Sequence, residues 1–467
     1  LLPQLQIELQ HLHMNKNRVL HRKRELSWRE VCDRCRMALF RESWLCSCCG
    51  REFCPQCFKE LAEPQVCLHS GLASQSSGPS LTFCISSMGH DARFFIPCSR
   101  YTESDLLHTM NVMEAITQSS TALVLNVQTF VHTHAFITAS EQYLTTIRLP
   151  IGQLKATEFR YFLMRRIPLV ITDLNRKLQL SWSPSDLIRD YGTDVCLLED
   201  CEAQEKPVKK PLKTFLMRFM NSELYEGAGS NVHNILPLAI WRIKDWPPEA
   251  KLAESHPKLY QDFSAALPIP EYTHRDGFYN LAAHFPVNSG VQPDLGPKVY
   301  MVLASKQIDG YSGSTKLHCD LCDAINLMVH CMPVTGGALW HIFKVSDMPK
   351  IREYLRSAFN HPQDDDPIHS QQYYLEPTKL AQLKTMYGVM PYTIHQSIGE
   401  AIFIPAGCPH QVSNEANCIK VATNFLSIEA LSACKVLAGE FRQLNLQDTW
   451  KEDVLQLNAQ LYYAFMS

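Results

Sequence analysis

The sequence predicts a mixed α/β protein: a jelly roll with helices packed outside it, preceded by a small cysteine-rich module held together by metal. Three observations carry that prediction. Short β-rich runs alternate with Gly and Pro turns from 298 to 345 and again from 389 to 428, the pattern of a sandwich or jelly roll. Helical periodicity recurs between about 155 and 220, before the β-rich blocks begin. Residues 31–57 read VCDRCRMALFRESWLCSCCGREFCPQC and contain three C-x-x-C pairs, a spacing that aims two thiolates at one ion.

The chain's 467 residues are 46% hydrophobic and 19% charged, ordinary for a globular protein with a sizeable core. Its 44 Lys and Arg against 47 Asp and Glu leave a net charge of −3, so overall basicity does not point to nucleic acid. No signal-like opening and no apolar window of membrane-spanning length is present, and the expectation is a soluble, intracellular protein without a membrane partner. Ten of the 18 cysteines fall within 32–98, which favours metal in a reducing compartment over disulfides.

Within the cysteine-rich module, assigned to 31–100, the pairs are Cys32 and Cys35, Cys46 and Cys49, and Cys54 and Cys57. A closed tetrahedral zinc site needs four ligands, so six leave one ion half coordinated. Cys84 and His90 in FCISSMGHDARFFIP complete two sites, and Cys67 with His69 is the competing fourth pair. Cys48 and Cys98 are spare, and spacing alone leaves open which pairs share an ion. Closed sites are expected to be structural. A RING-like module is the alternative, but the gap from Cys57 to Cys84 fits RING spacing poorly.

Residues 1–30 form a basic segment in which Lys16, Arg18, Arg22, Lys23 and Arg24 are either a solvated face or a nuclear localisation signal. GLASQSSGPS marks a loop at about 70–82, and 101–154 reads as a helical connector with its clearest helix near 101–118. FRYFLMRRIPLVITDL reads as helix then strand, DYGTDVCLLEDC as a strand and KPLKTFLMRFMN as an amphipathic helix. These belong to a catalytic domain over 155–436, followed by a C-terminal helical segment at 437–467.

Chemistry concentrates in two strings of that domain. In KLHCDLCDAINLMVH, His318 and Asp320 are two apart, so on a strand both side chains point to one face while Cys319 points away. In GEAIFIPAGCPHQVSN, residues 399–414, Gly399 and Glu400 make a turn, AIFIP a short strand, Pro405-Ala406-Gly407 another turn, and His410 opens the next strand. The spacing G-x5-P-x-G-x2-H-x3-N matches a cupin signature at every specified position. His410 then closes a facial triad with His318 and Asp320, a two-histidine, one-carboxylate set whose open positions suit Fe(II).

Those strings resemble the jumonji-C family of Fe(II)- and 2-oxoglutarate-dependent histone lysine demethylases, in the branch related to Hairless and the histone H3 lysine 9 mono- and dimethyl demethylases. The resemblance extends over KDWPP, PIPEYTHRDGFYNLA, PDLGPKVY, GGALWHIF and CIKVATNF, and over Cys84 and His90 as the closing C-x5-H of the zinc module. It implies a double-stranded β-helix, or cupin-like jelly roll, with surrounding helices. It also implies Fe(II), 2-oxoglutarate, O2 and two structural Zn(II), and N-methyl hydroxylation followed by formaldehyde release. Implied partners are the histone H3 tail, chromatin, and transcription factors or corepressors, in the nucleus.

For 2-oxoglutarate the resemblance places a hydroxyl at Thr315 against the distal carboxylate. GGALW lacks the lysine that several branches carry before the tryptophan, which throws that role onto Lys420. Lys420 lies ten residues after His410 within an apolar run, an even offset expected to keep both on one strand face. Asn326 and Trp340 are expected to line the same pocket. A jumonji-type protein hydroxylase and a non-catalytic corepressor scaffold are the alternative functions.

Overall fold

The computed structural model describes residues 1–62, 84, 90–119, 144–202, 206–221, 240–305, 310, 313–447 and 452–467. The competing pair Cys67 and His69 and the loop at 70–82 lie outside the described residues. The chain divides into two compact units, one of Leu1–Asn126, Leu281–Asp294 and Lys435–Ser467, the other of Val127–Asn280 and Leu295–Cys434. Among the described residues no helix is long and apolar enough to cross a membrane.

The first unit has a four-stranded sheet of order β1-β4-β2-β3, with β1 Leu20–His21, β2 Ser43–Cys46, β3 Glu52–Phe53 and β4 Phe95–Ser99. Residues 1–30, read from sequence for their basic charge, also contain the helix Leu2–Met14. Its Leu5 and Leu12 join Phe40, Tyr101 and Leu106 in one core with Phe285 from the 281–294 segment and Tyr462 from the C-terminal helix Leu457–Met466. Trp44 on β2 stacks on Phe58 of the helix Pro55–Ala62 at 4.1 Å between centroids. Arg100, its side chain wholly buried, is paired with Glu30 at 2.8 Å and Glu52 at 2.9 Å, as a buried cation requires.

The second unit is built on a nine-stranded sheet and a four-stranded sheet. The strands are β5 Ile147–Pro150, β6 Leu169–Thr172, β7 Val195–Asp200, β8 Val208–Pro211, β9 Trp241–Trp246, β10 Lys298–Val302, β11 Thr315–His318, β12 Asp323–Met332, β13 Ala338–Ile342, β14 Tyr392–Gln396, β15 Ala401–Ile404, β16 His410–Asn414 and β17 Asn417–Phe425. The large sheet runs β5-β6-β15-β12-β17-β10-β9-β7-β8 and the small one β11-β16-β13-β14.

Alternation along the central strands makes two cores. Ile325, Leu327 and Val329 of β12 and Ile419 and Val421 of β17 pack outward against Phe159 and Leu163 of the helix Ala156–Arg165 and Phe215 and Phe219 of the helix Leu212–Met220. Ala324 and Met328 of β12 and Cys418 of β17 face inward, against Trp340, Ile342, Ile394 and Val412 of the small sheet. A sheet apolar on both faces needs a layer on each. Helices supply one layer and the small sheet the other, which is the predicted jelly roll with helices outside. Helix and strand at 156–172, the strand at 195–200 and the helix at 212–220 fall where periodicity placed them.

Candidate metal centres and co-substrate pocket

Between the two sheets of the second unit, His318 and His410 are direct cross-strand partners on β11 and β16. Their ring centroids lie 4.2 Å apart. Asp320 Oδ1 is 3.9 Å from His318 Nε2, and Asp320 Oδ2 is 3.8 Å from His410 Nε2. His318 Nδ1 lies 2.8 Å from the Lys316 carbonyl and His410 Nδ1 3.0 Å from the Cys408 carbonyl. A proton on each Nδ1 satisfies those carbonyls and leaves both Nε2 lone pairs turned toward the carboxylate, the tautomer a metal ligand needs. Burial and the neighbouring His410 ring hold His318 well below the ordinary histidine pKa, so its imidazole is neutral. The Asp320 side chain keeps 29% of its surface exposed, so the triad opens to solvent on its carboxylate side.

Asp320 is not on the strand with His318, as simple alternation suggested; β11 ends at His318. The chain turns at Cys319, whose Sγ reaches the Gly407 carbonyl, and the Gly407 amide donates to the Asp320 carbonyl at 3.1 Å. The turn around Gly407 (φ +76°) therefore helps to position both Asp320 and His410.

Thr315 pairs with Val412 while His318 pairs with His410, so three steps on β11 match two on β16. That bulge brings Thr315 and His318 to the same inner face despite their odd separation. Lys420 also faces inward, but by a different route from the one parity suggested. His410 lies on β16 of the small sheet and Lys420 on β17 of the large sheet, joined through the turn at Glu415 and Ala416. Register places Lys420 opposite Met328 on one side and Tyr300 on the other. Its Nζ donates to Asn414 Oδ1 at 2.6 Å and lies 5.2 Å from the Trp340 ring centroid. Burial lowers the Lys420 pKa to about 8. Trp340 stacks on His410, 6.1 Å between centroids, and its indole N–H donates to Gln396 Oε1 at 2.9 Å. Asn326 Oδ1 is buried and has no hydrogen-bond partner among the described residues. A free acceptor, a buried ammonium and a hydroxyl thus lie on the inner faces of the strands that carry or oppose the triad, a donor set that fits a metal ion and an anionic co-substrate.

Two contributors were missed from sequence. Asn414 is the last position of the spaced signature, and only the fold gives it the role of holding Lys420. Asp323 accepts the Ala406 amide at 2.9 Å and the Ser427 hydroxyl at 2.5 Å, tying down the Pro405–Gly407 turn from below. Burial raises its pKa to about 6.

In the first unit, Cys32, Cys35, Cys54 and Cys57 form one cluster and Cys46, Cys49, Cys84 and His90 another, the ligand atoms of each within 4.8 Å of one another. First pair joins third and second joins last, the pairing that spacing left open. Cys35 and Cys54 sulfurs, and Cys46 and Cys84 sulfurs, are each 3.8 Å apart. Tetrahedral zinc with ligand bonds of about 2.3 Å separates its sulfurs by about 3.8 Å, so both clusters fit zinc. Arg442 on the helix Leu431–Gln447 donates to Cys57 Sγ at 3.4 Å, and Asn445 donates to the Cys35 carbonyl at 3.0 Å. Such outer contacts orient metal ligands.

Comparison with known proteins agrees with this geometry. Residues 311–425 match the family described as JmjC domain, hydroxylase. That stretch is thus similar to a JmjC domain. The triad lies wholly within the JmjC match. The chain is also similar to lysine-specific demethylase 3 of Drosophila melanogaster, 36% identical over 339 residues, covering 64% of this chain and 39% of the relative. It is 34% identical to human lysine-specific demethylase 3A over 337 residues, 64% of this chain and 25% of the relative. Lysine-specific demethylase JMJ26 of Arabidopsis thaliana is 32% identical over 357 residues, 64% of this chain and 41% of the relative. The chain thus spans less than half the length of these relatives.

Proposed function

We propose that this chain is an Fe(II)- and 2-oxoglutarate-dependent histone lysine demethylase acting in the nucleus on mono- and dimethylated histone H3 lysine 9, in chromatin and transcription regulation. The observation that carries the reading is the convergence of His318, Asp320 and His410 inside a JmjC jelly roll, with both Nε2 lone pairs directed at one carboxylate. The similarity to proteins named lysine-specific demethylases supports the substrate class.

In this reading, His318, Asp320 and His410 hold the iron. Lys420 and Thr315 bind the distal carboxylate of 2-oxoglutarate, and Asn326 and Trp340 line the pocket. When bound, iron and 2-oxoglutarate supply activation of O2, coupled to decarboxylation, for oxidation of a substrate C–H bond. The chain's share is orientation and dryness: Asn414 fixes the Lys420 ammonium, Trp340 packs between Lys420 and His410, and the apolar inner core excludes water from the closed end. A hydroxylated N-methyl group collapses to formaldehyde and the shortened amine. Cys32, Cys35, Cys54 and Cys57, and Cys46, Cys49, Cys84 and His90, hold two structural zincs.

Incubation of the protein with Fe(II), 2-oxoglutarate and histone H3 peptides dimethylated at lysine 9 tests the proposal. Loss of methyl groups from the peptide must be accompanied by formaldehyde. Succinate release with no change in any methylated peptide sinks the demethylase reading and favours a protein hydroxylase.

A further inference from the structure

Cys331 and Cys418 are direct cross-strand partners on β12 and β17, and their sulfurs lie 3.8 Å apart with both residues fully buried. Neither belongs to a metal cluster. Directly opposed residues on antiparallel strands have Cα atoms about 4.5 or 5.5 Å apart, inside the range a disulfide spans. Both thiols face the inner core that holds Lys420, because β12 is bulged between Met328 and His330 and Cys418 is two residues before Lys420 on the same strand. An ammonium beside a thiol favours the thiolate, the form that reacts. The hydrogen bond between the two sulfurs, with burial, pushes the Cys331 thiol up, while the same hydrogen bond and the Lys420 charge draw Cys418 down toward the thiolate.

Cys418 also anchors the turn between the sheets. Its S–H lies 3.1 Å from the Ala416 carbonyl and 3.6 Å from the Gly337 carbonyl, and Gly337 in turn accepts the Glu415 amide at 2.8 Å. That turn follows Asn414, the partner of the Lys420 ammonium. A disulfide has no S–H, so its formation removes this anchor and draws the sulfur toward Cys331.

We propose that Cys331 and Cys418 are an oxidisable dithiol site, which hydrogen peroxide converts to a cross-strand disulfide that weakens 2-oxoglutarate binding at Lys420. One thiolate attacks a peroxide oxygen, breaking the O–O bond and giving a sulfenic acid and, with a proton, water. The other cysteine's thiol displaces the sulfenic oxygen, its proton leaving with that oxygen as a second water, while the S–S bond forms. Two thiols are oxidised by two electrons and one peroxide is reduced to two waters. The effect on 2-oxoglutarate rests on the co-substrate role proposed for Lys420; the oxidation itself does not.

The test treats the full zinc-loaded chain, with Mn(II) in place of iron, with hydrogen peroxide and then alkylates free thiols. Peptide mapping is expected to show a Cys331–Cys418 linked pair, and titration to show 2-oxoglutarate binding weakened by roughly tenfold, about 1.4 kcal/mol. Dithiothreitol restores both. Cys331→Ser, or Cys331→Ala where serine perturbs the core, keeps full 2-oxoglutarate binding after peroxide at unchanged zinc content. Absence of the linked pair while exposed Cys48 is oxidised overturns the site. Equal loss of binding in the Cys331 variants, or a linked pair with unchanged affinity, overturns the coupling. Reduced protein that forms the linked pair on treatment but never binds 2-oxoglutarate refutes the co-substrate reading and leaves the dithiol standing.

Discussion

His318 and His410 face each other across β11 and β16, and Asp320 reaches both from a turn beyond the end of β11. The imidazoles are thus set by sheet register and the carboxylate by a loop. Asp320→Ala removes the anionic ligand without touching the pairing. Turnover is expected to fall to background and bound iron to be lost on dialysis, with little change in thermal unfolding or zinc content. Retained turnover in this variant would reject the triad as the iron site.

Thr315 reaches the inner face only because β11 is bulged against β16. Thr315→Val keeps the β-branched shape and removes the hydroxyl. Loss of one hydrogen bond to a carboxylate costs about 1.5 kcal/mol, roughly tenfold in affinity. The 2-oxoglutarate KM should rise by that factor while iron content stays the same. An unchanged KM would take Thr315 out of the pocket.

The interleaved cysteine clusters predict two zincs that respond to different substitutions. His90→Ala should empty the cluster of Cys46, Cys49 and Cys84, whereas His90→Cys should retain both ions, since a four-thiolate site suits zinc equally well. Metal analysis reads this directly. Chelation should unfold the first unit's zinc module, because zinc binding contributes on the order of 10 kcal/mol to so small a core. One zinc in wild type would contradict the pairing.

What the sequence disclosed and what it hid divide along physical lines. The triad was legible because its spacing reflects local geometry: a turn, a short strand and a turn fix His410 within one string, and His318 and Asp320 within another. Lys420 was expected on the inner face for a reason that fails in space, since the chain changes sheets at Glu415 and Ala416. Parity along one strand cannot anticipate a crossover. The roles of Asn414 and Asp323 depend on partners six and 104 residues away, contacts that only folding creates. Zinc pairing was hidden for the same reason: each C-x-x-C pair is local, but the choice of partner pair belongs to the sheet that joins β2, β3 and β4.

Lys420 predicts two pH dependences of opposite sign. Burial lowers its pKa to about 8 from 10.5. The ammonium is the form that pairs with a carboxylate, so 2-oxoglutarate affinity should be constant below about pH 8 and fall by up to tenfold per pH unit above it, as binding requires proton uptake. Stability of the protein without co-substrate should move the other way. Between about pH 8 and 10.5 the unfolded chain binds the Lys420 proton and the folded chain does not, so this group's contribution to stability rises with pH across that window. Lys420→Met fills the space without the charge and should remove both slopes, while raising the 2-oxoglutarate KM well above tenfold at pH 7, because it deletes one member of a buried charge pair worth roughly 2–5 kcal/mol. Iron binding and zinc content should be unaffected. A wild-type 2-oxoglutarate KM that stays flat from pH 7 to 9.5, or one that rises equally in Lys420→Met, would assign the co-substrate carboxylate to another residue.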